Sequence, residues 1–232
     1  MAIQKRAPKR KTRLLRWVNE WNESHPKKTD QIDVPSGFKK ETPHVGVPAK
    51  HLIRSMQRAK GLPITGKFDK RTLRVLFPPT FRVKVFRVAH GELGVQEVPL
   101  GSNTGPRVRV YQSVTKAYKQ PWCASFASWC CRQVEGDFPL PAYAADVTAW
   151  TNAAKSGTHP RLKKIGKLAA RKGDIVTFDW DKDGEPDHIG FFQGWIVPLV
   201  SFKAVEGNTG DGVRVESRWF AQVKTFIRVT EK

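Results

Sequence analysis

After residue 173 the chain breaks into five short stretches, DIVTFDW, HIGFFQGW, FKAVEGN, VRVESR and TFIRVT, each separated from the next by turn-forming residues. Short, regularly punctuated stretches rich in β-branched and aromatic residues predict successive antiparallel strands. Upstream the period changes. Pro121 opens a helix that is predicted to run to about Val134. Cys123, Ala127, Cys130 (or Cys131) and Val134 stand at i, i+4, i+7 and i+11, on one face. FRVKVFRVAHGELGV, beginning at Phe81, reads as helical toward its end, and GSNTGPRV reads as loop. Helices followed by an antiparallel sheet give an α+β domain.

The chain has 232 residues and 39% hydrophobic content. That is enough for one domain of ~150 residues with its own core and a smaller appendage. It excludes disordered, collagenous and disulfide-rich classes. Pro78-Pro79-Thr80 interrupts the pattern, so the expected division is residues 1–80 and 81–232. The first part begins with a basic arm, MAIQKRAPKRKTR. A short helical pattern, LLRWVNEWNE, follows, with Leu14, Val18 and Trp21 on one face and Trp17 beside them. A loop rich in Pro, Lys and Gly leads to a compact unit at about 47–77. There Leu52, Met56 and Ala59 share a predicted helical face, Gly61 is a helix stop and LPITG is a turn. Asp69 caps a second helix, KRTLRVLF.

Charge narrows the partner. Lys and Arg number 41 against 21 Asp and Glu, a net charge of +20. Residues 1–80 hold 19 basic and 6 acidic residues, so most of the excess lies there. A polyanion is implied: nucleic acid, an anionic membrane or an anionic cell wall. Nucleic-acid module signatures are absent, which makes nucleic acid the weaker choice although Trp17 and Trp21 could stack on bases. The N-terminal stretch lacks the apolar run of a secretory signal, and no window is apolar enough for a transmembrane helix. A protein made in the cytoplasm and let out by something else is expected. So is a monomer.

The three cysteines of the chain all fall in PWCASFASWCCR, residues 121–132. Adjacent Cys130 and Cys131 rarely pair, and the spacing lacks the C-x2-C of a zinc site. Cys130 and Cys131 read as buried packing. Cys123 differs, because it lies in the first turn of the predicted helix. There the unpaired N–H groups and the helix dipole stabilise a thiolate. A nucleophilic thiol needs a base, and the base an orienting acceptor. Of the six histidines, His188 opens a strand directly after a polar turn. The next strand carries VEGN, and alternation puts Glu206 and Asn208 on one side of it, so either could hold the imidazole.

Taken together, PWCASFASWC, DHIGFFQG and VEGNTGDG resemble the CHAP family, the cysteine- and histidine-dependent amidohydrolase/peptidase domain. ELGVQEVPLGSNTGPRVRVYQ looks like that family's lead-in, and RKGDIVTFDWDKDGEPDHIG like its first two strands, so the resemblance covers about residues 83–230. It implies a papain-like fold that cleaves amide bonds in peptidoglycan. By that resemblance Cys123 is the nucleophile and His188 the general base, Glu206 orients the imidazole and Asn208 assists. Backbone N–H groups at the helix start would meet the oxyanion, with Gln120 a further donor.

SMQRAKGLPITGKFDKRTLRVLF, in the first part, resembles the later half of the small helical peptidoglycan-binding domain. Its implied partners are peptidoglycan and anionic wall polymers. Asp179, Asp181, Asp183 and Asp187 in DWDKDGEPD have a spacing that resembles a calcium loop, but the twelfth position is Gly190 rather than a bidentate Glu. A tight Asp-Gly hairpin delivering His188 is the favoured reading, with no cofactor required and Ca2+ the alternative. The expected function is a peptidoglycan hydrolase of the phage endolysin kind. The alternatives are a virion-associated lysin or autolysin with the same chemistry, and a basic wall- or nucleic-acid-binding protein whose domain is inert.

Overall fold

The computed structural model describes residues 47–76 and 78–231. The basic arm, the stretch with Trp17 and Trp21, and the loop up to residue 46 lie outside the described residues. The chain divides into two units, Met1–Pro79 and Thr80–Lys232.

In the first unit, α1 (Val47–Ala59) and α2 (Lys70–Leu76) are joined by a turn. Gly61 ends α1 with φ 60°, and Asp69 caps α2 by accepting from Thr72 N at 2.7 Å. The apolar face is rotated from the one expected. Ile53, Met56 and Gln57 are buried and Ala59 is exposed, while the side chain of Leu52 lies outside the described residues. Gln57 organises the unit. Its Nε2 donates to Thr65 Oγ1, Thr72 Oγ1 and the Lys67 carbonyl, and its Oε1 accepts from Gly66 N. A buried amide satisfied on both sides pins the turn to both helices.

The second unit holds α3 (Phe81–Gly91), α4 (Pro106–Ser113), α5 (Cys123–Val134) and α6 (Val147–Ser156), followed by six strands. These are β1 (Leu162–Ile165), β2 (Ile175–Phe178), β3 (His188–Val197), β4 (Ser201–Thr209), β5 (Gly212–Trp219) and β6 (Val223–Val229). They form one antiparallel sheet of order β1-β6-β2-β3-β4-β5. The architecture is the α+β class expected, consistent with a papain-like CHAP domain. Two elements differ from the expectations. α3 is helical from its first residue rather than only near its end. PRVRVYQS continues the supposed loop as α4, with Pro106 at its start, where a missing N–H costs nothing. Asp146 caps α6 by accepting from Thr148 N, and Gly157 closes it with φ 71°.

The helical layer packs on one face of the sheet through α5, whose residues 123–131 are all buried. Tyr111 of α4 contacts the Trp122, Phe126 and Trp129 rings, making an aromatic cluster around the start and middle of α5. Gly207 of β4 allows the close approach. A Cβ there would lie 2.7 Å from the Phe126 ring and 2.8 Å from Trp122. The missing side chain lets α5 settle its N-terminal turn directly over β4. The opposite face of the sheet has its own aromatic core, with Phe178, Phe192, Phe202 and Phe226 at its centre.

Candidate active site

Cys123 begins α5, and no side chain caps that helix, so the N–H groups of its first turn have no capping acceptor. Cys130 and Cys131 lie wholly buried deeper in the same helix. Burial pushes the thiols of both far up, which makes them inert packing residues.

His188 is the first residue of β3, and the strand register fixes what faces it. Gly190 pairs with Glu206, and Phe192 with Ala204, so His188 and Glu206 share a sheet face. Gly190 makes room for the carboxylate stem, since a Cβ at 190 would stand 2.6 Å from Glu206 Cγ. His188 Nε2 lies 3.0 Å from Glu206 Oε2, and Cys123 is near enough to act on the same imidazole and raise its pKa. With Nε2 turned to the carboxylate, Nδ1 is left for the sulfur. The trio is dry: Cys123 is 5%, His188 3% and Glu206 0% exposed. Burial alone would depress the imidazole, but hydrogen bonds and charge from Cys123 and Glu206 outweigh it and raise His188 to about 9.

Arg218 of β5 completes the chain of contacts and was not singled out in the sequence. Its Nη2 donates to Glu206 Oε2 at 2.6 Å and its Nε to Oε1 at 3.0 Å, and Nη2 also reaches Thr209 Oγ1. Burial pushes the Glu206 carboxyl up, and His188 and Arg218 together more than reverse it, holding it below its ordinary range. Trp180, also not anticipated, stacks on the His188 ring with centroids 4.9 Å apart and 23° between planes. The Arg218 guanidinium lies over the same indole at 5.2 Å.

Asn208 does not join this group, which corrects the expectation that it shares a side with Glu206. The β4–β5 register shifts between Glu206 and Thr209, and Asn208 has φ 61°, so alternation fails there. Its Nδ2 donates instead to Glu97 Oε1 at 3.1 Å and Asn103 Oδ1 at 3.0 Å. Glu97 is buried and also accepts from Trp122 Nε1 at 2.8 Å and Asn103 N at 2.8 Å. That carboxylate ties the lead-in segment, the Asn103 loop and the residue before Cys123 together. Gln112 Nε2 adds a bond to the Gln120 carbonyl at 3.0 Å, and the Gln120 side chain itself is exposed.

Asp179, Asp181 and Asp187 bring carboxylate oxygens within 4.8 Å of one another, and Asp183 is not among them. Each already serves the loop. Asp179 Oδ2 pairs with Lys224 Nζ at 3.0 Å, Asp187 Oδ2 accepts from Trp180 N at 2.5 Å, and Asp181 Oδ1 accepts from Asp183 N at 3.2 Å. Asp183 Oδ1 accepts from Glu185 N at 2.7 Å. The loop spans residues 179–187, wider than the two-residue turn expected, and it closes because Asp187 N donates to the Phe178 carbonyl. Through its carboxylate Asp187 also holds the Trp180 backbone in place, and Lys224 balances part of the loop's charge.

Comparison with known proteins adds one finding. The CHAP domain family model matches residues 115–208, a stretch that includes Cys123, His188, Glu206 and Asn208. No curated protein and no solved structure matches the chain. No helix among the described residues is long and apolar enough to cross a membrane. Residues 115–208 are thus similar to the CHAP domain, a likeness that indicates a hydrolase acting on peptidoglycan.

Proposed function

We propose that the protein is a peptidoglycan hydrolase of the endolysin type, in which Cys123 attacks an amide of the stem peptide or cross-bridge. The observation that carries this reading is the buried His188, held between the Cys123 sulfur at a helix start and the Glu206 carboxylate. Glu206 favours the protonated form of the ring, which stands beside the sulfur.

The thiolate adds to the amide carbonyl carbon, and the negative charge moves to the carbonyl oxygen. The N–H groups in the first turn of α5 face that charge and stabilise it as it develops. The tetrahedral species collapses, the C–N bond breaks, and the His188 proton passes to the departing amine. A thioester remains on Cys123. Water then gives a proton to neutral His188 and adds to the thioester. Collapse frees a carboxylic acid and restores the thiolate–imidazolium pair. Arg218 anchors Glu206, and Trp180 covers the outer face of the imidazole against bulk water. Asn208, bound to Glu97 and Asn103, positions the segment ahead of Cys123 rather than touching the ring.

Residues 1–80 act as the wall anchor in this reading. Their excess positive charge suits anionic wall polymers, and the α1–α2 unit resembles half of a peptidoglycan-binding domain. Weak anchoring raises the local concentration of substrate at the second unit. The proposed reaction uses no metal. One oxygen of each Asp carboxylate in the 179–187 loop is engaged by a backbone N–H group or Lys224, while Asp179 Oδ1 is buried without a partner among the described residues. Mass spectrometry of fragments released from purified sacculi tests the reading. New amino and carboxyl termini at one type of amide support it, and sacculi left intact, or broken only at glycosidic bonds, refute it.

A further inference from the structure

A second recess adjoins the start of α5. The segment after α4 and the loop of residues 140–146 leave a cavity of about 890 Å3 between them. Its wall includes Thr115, Gln120, Pro121, Arg132, Tyr143 and Asp146. Gln120 and Pro121 directly precede Trp122 and Cys123, so the wall runs up to the turn that carries the sulfur. Cys123 and His188 themselves do not line it. Ligand pockets commonly occupy about 300–1,000 Å3, so the space suits a short peptide rather than a lone ion.

Arg132 gives the recess its chemistry. Its Nε is buried and has no hydrogen-bond partner among the described residues. A buried cationic donor without an acceptor is costly, and Arg132 is among the residues that line the cavity. The guanidinium fork matches a carboxylate, with two parallel N–H donors. Asp146 is the carboxylate in the wall, and it is committed to capping α6 through Thr148 N. Tyr143 stands at the opening, 87% exposed and with φ 59°, a conformation rare for a bulky side chain and concentrated at ligand-clamping positions.

We propose that this cavity is a substrate subsite, in which Arg132 binds a free carboxylate of the peptide whose amide is presented to Cys123. The proposal rests on the peptidoglycan reading and adds the group that selects the peptide. Arg132 is a specificity residue and takes no part in bond breaking.

The test uses the full chain and purified sacculi, either as isolated or after their free carboxylates have been converted to amides with carbodiimide and ammonium. KM is measured on both for the parent, Arg132→Gln and Arg132→Lys. The ratio of the two KM values within one protein does not depend on how much of that protein is folded. Loss of one charge-assisted contact predicts that the preference for unmodified sacculi is about tenfold weaker in Arg132→Gln than in the parent. Arg132→Lys should fall between them. Whatever preference remains belongs to the basic residues outside the cavity. A ratio equal in parent and Arg132→Gln, with sacculi still hydrolysed, overturns the subsite alone. Failure of the parent to release peptide fragments from either preparation overturns the peptidoglycan reading, and the subsite with it.

Discussion

His188 owes its behaviour to two neighbours that act against its burial. Its folded value of about 9 exceeds the ordinary 6.5. In the proposed mechanism the His188 imidazolium protonates the departing amine, so it should survive through neutral pH and be lost as pH rises through about 9. kcat/KM on sacculi should hold across neutral pH and fall above about pH 9. Stability carries the same sign: the contribution of His188 is full below about 6.5 and is lost as pH rises through 9. In the same proposal Glu206 sets the acid side, because its carboxyl is held down against burial by His188 and Arg218. Replacing Arg218 with Met should move the acid limb of the kcat/KM profile to higher pH, and an unmoved limb would remove Arg218 from the mechanism. Gly190→Ala offers a test without altering any charged group. Its Cβ would collide with Glu206 Cγ, so kcat should drop at least tenfold while sacculus binding persists. That Cys123, His188 and Glu206 lie near one another was legible in the sequence because each sits at a fixed offset in a strand or helix start. Arg218 and Trp180 were not. They reach the site from the next strand and from a loop, and such contacts have no local period.

Elements were legible where one face stays dry and the other wet. The strands of 174–229 alternate or run apolar between turns, and α5 carries a long apolar stripe, so both were readable. α4 was not, because the turn-forming run GSNTGP leads straight into its first residues and reads as loop. The helix forms because Pro106 starts it and Val108, Tyr111 and Gln112 find buried sites. β1, with two lysines in four residues, is an edge strand whose charges guard its free side. Asn208 was misread for a related reason: a register shift cancels the alternation on which the reading relied. The contact between α5 and β4 has its own test. Gly207→Ala puts a methyl group 2.7 Å from the Phe126 ring, and overpacking of this kind costs about 1–3 kcal/mol. The melting temperature should fall by several degrees, with activity falling too because the turn carrying Cys123 is displaced. An unchanged melting curve would mean that the helix approaches the strand less closely than described.

The whole molecule joins a strongly basic first unit to a second unit with its own core. Electrostatic anchoring of this kind is screened by salt, with a Debye length of about 8 Å at 0.15 M and 3 Å at 1 M. Binding of the full chain to sacculi should weaken markedly between those concentrations. Residues 80–232 alone should bind less at low salt and respond less to added salt. Equal salt dependence of the two would place the anchor in the second unit. The proposed mechanism routes no step through a metal, so chelation by EDTA should leave lysis unaltered. Loss of lysis restored by added calcium would show that the Asp179, Asp181 and Asp187 cluster needs a metal.

The role of the Cys123 sulfur is tested most directly by alkylation. The folded full chain is treated with iodoacetamide, and modified peptides and sacculus lysis are followed together. One modification per chain, on Cys123, should accumulate in step with the loss of lysis, Cys130 and Cys131 staying protected by burial. His188→Ala should slow the reaction. Full lysis by protein completely alkylated at Cys123 would contradict nucleophilic catalysis by this residue.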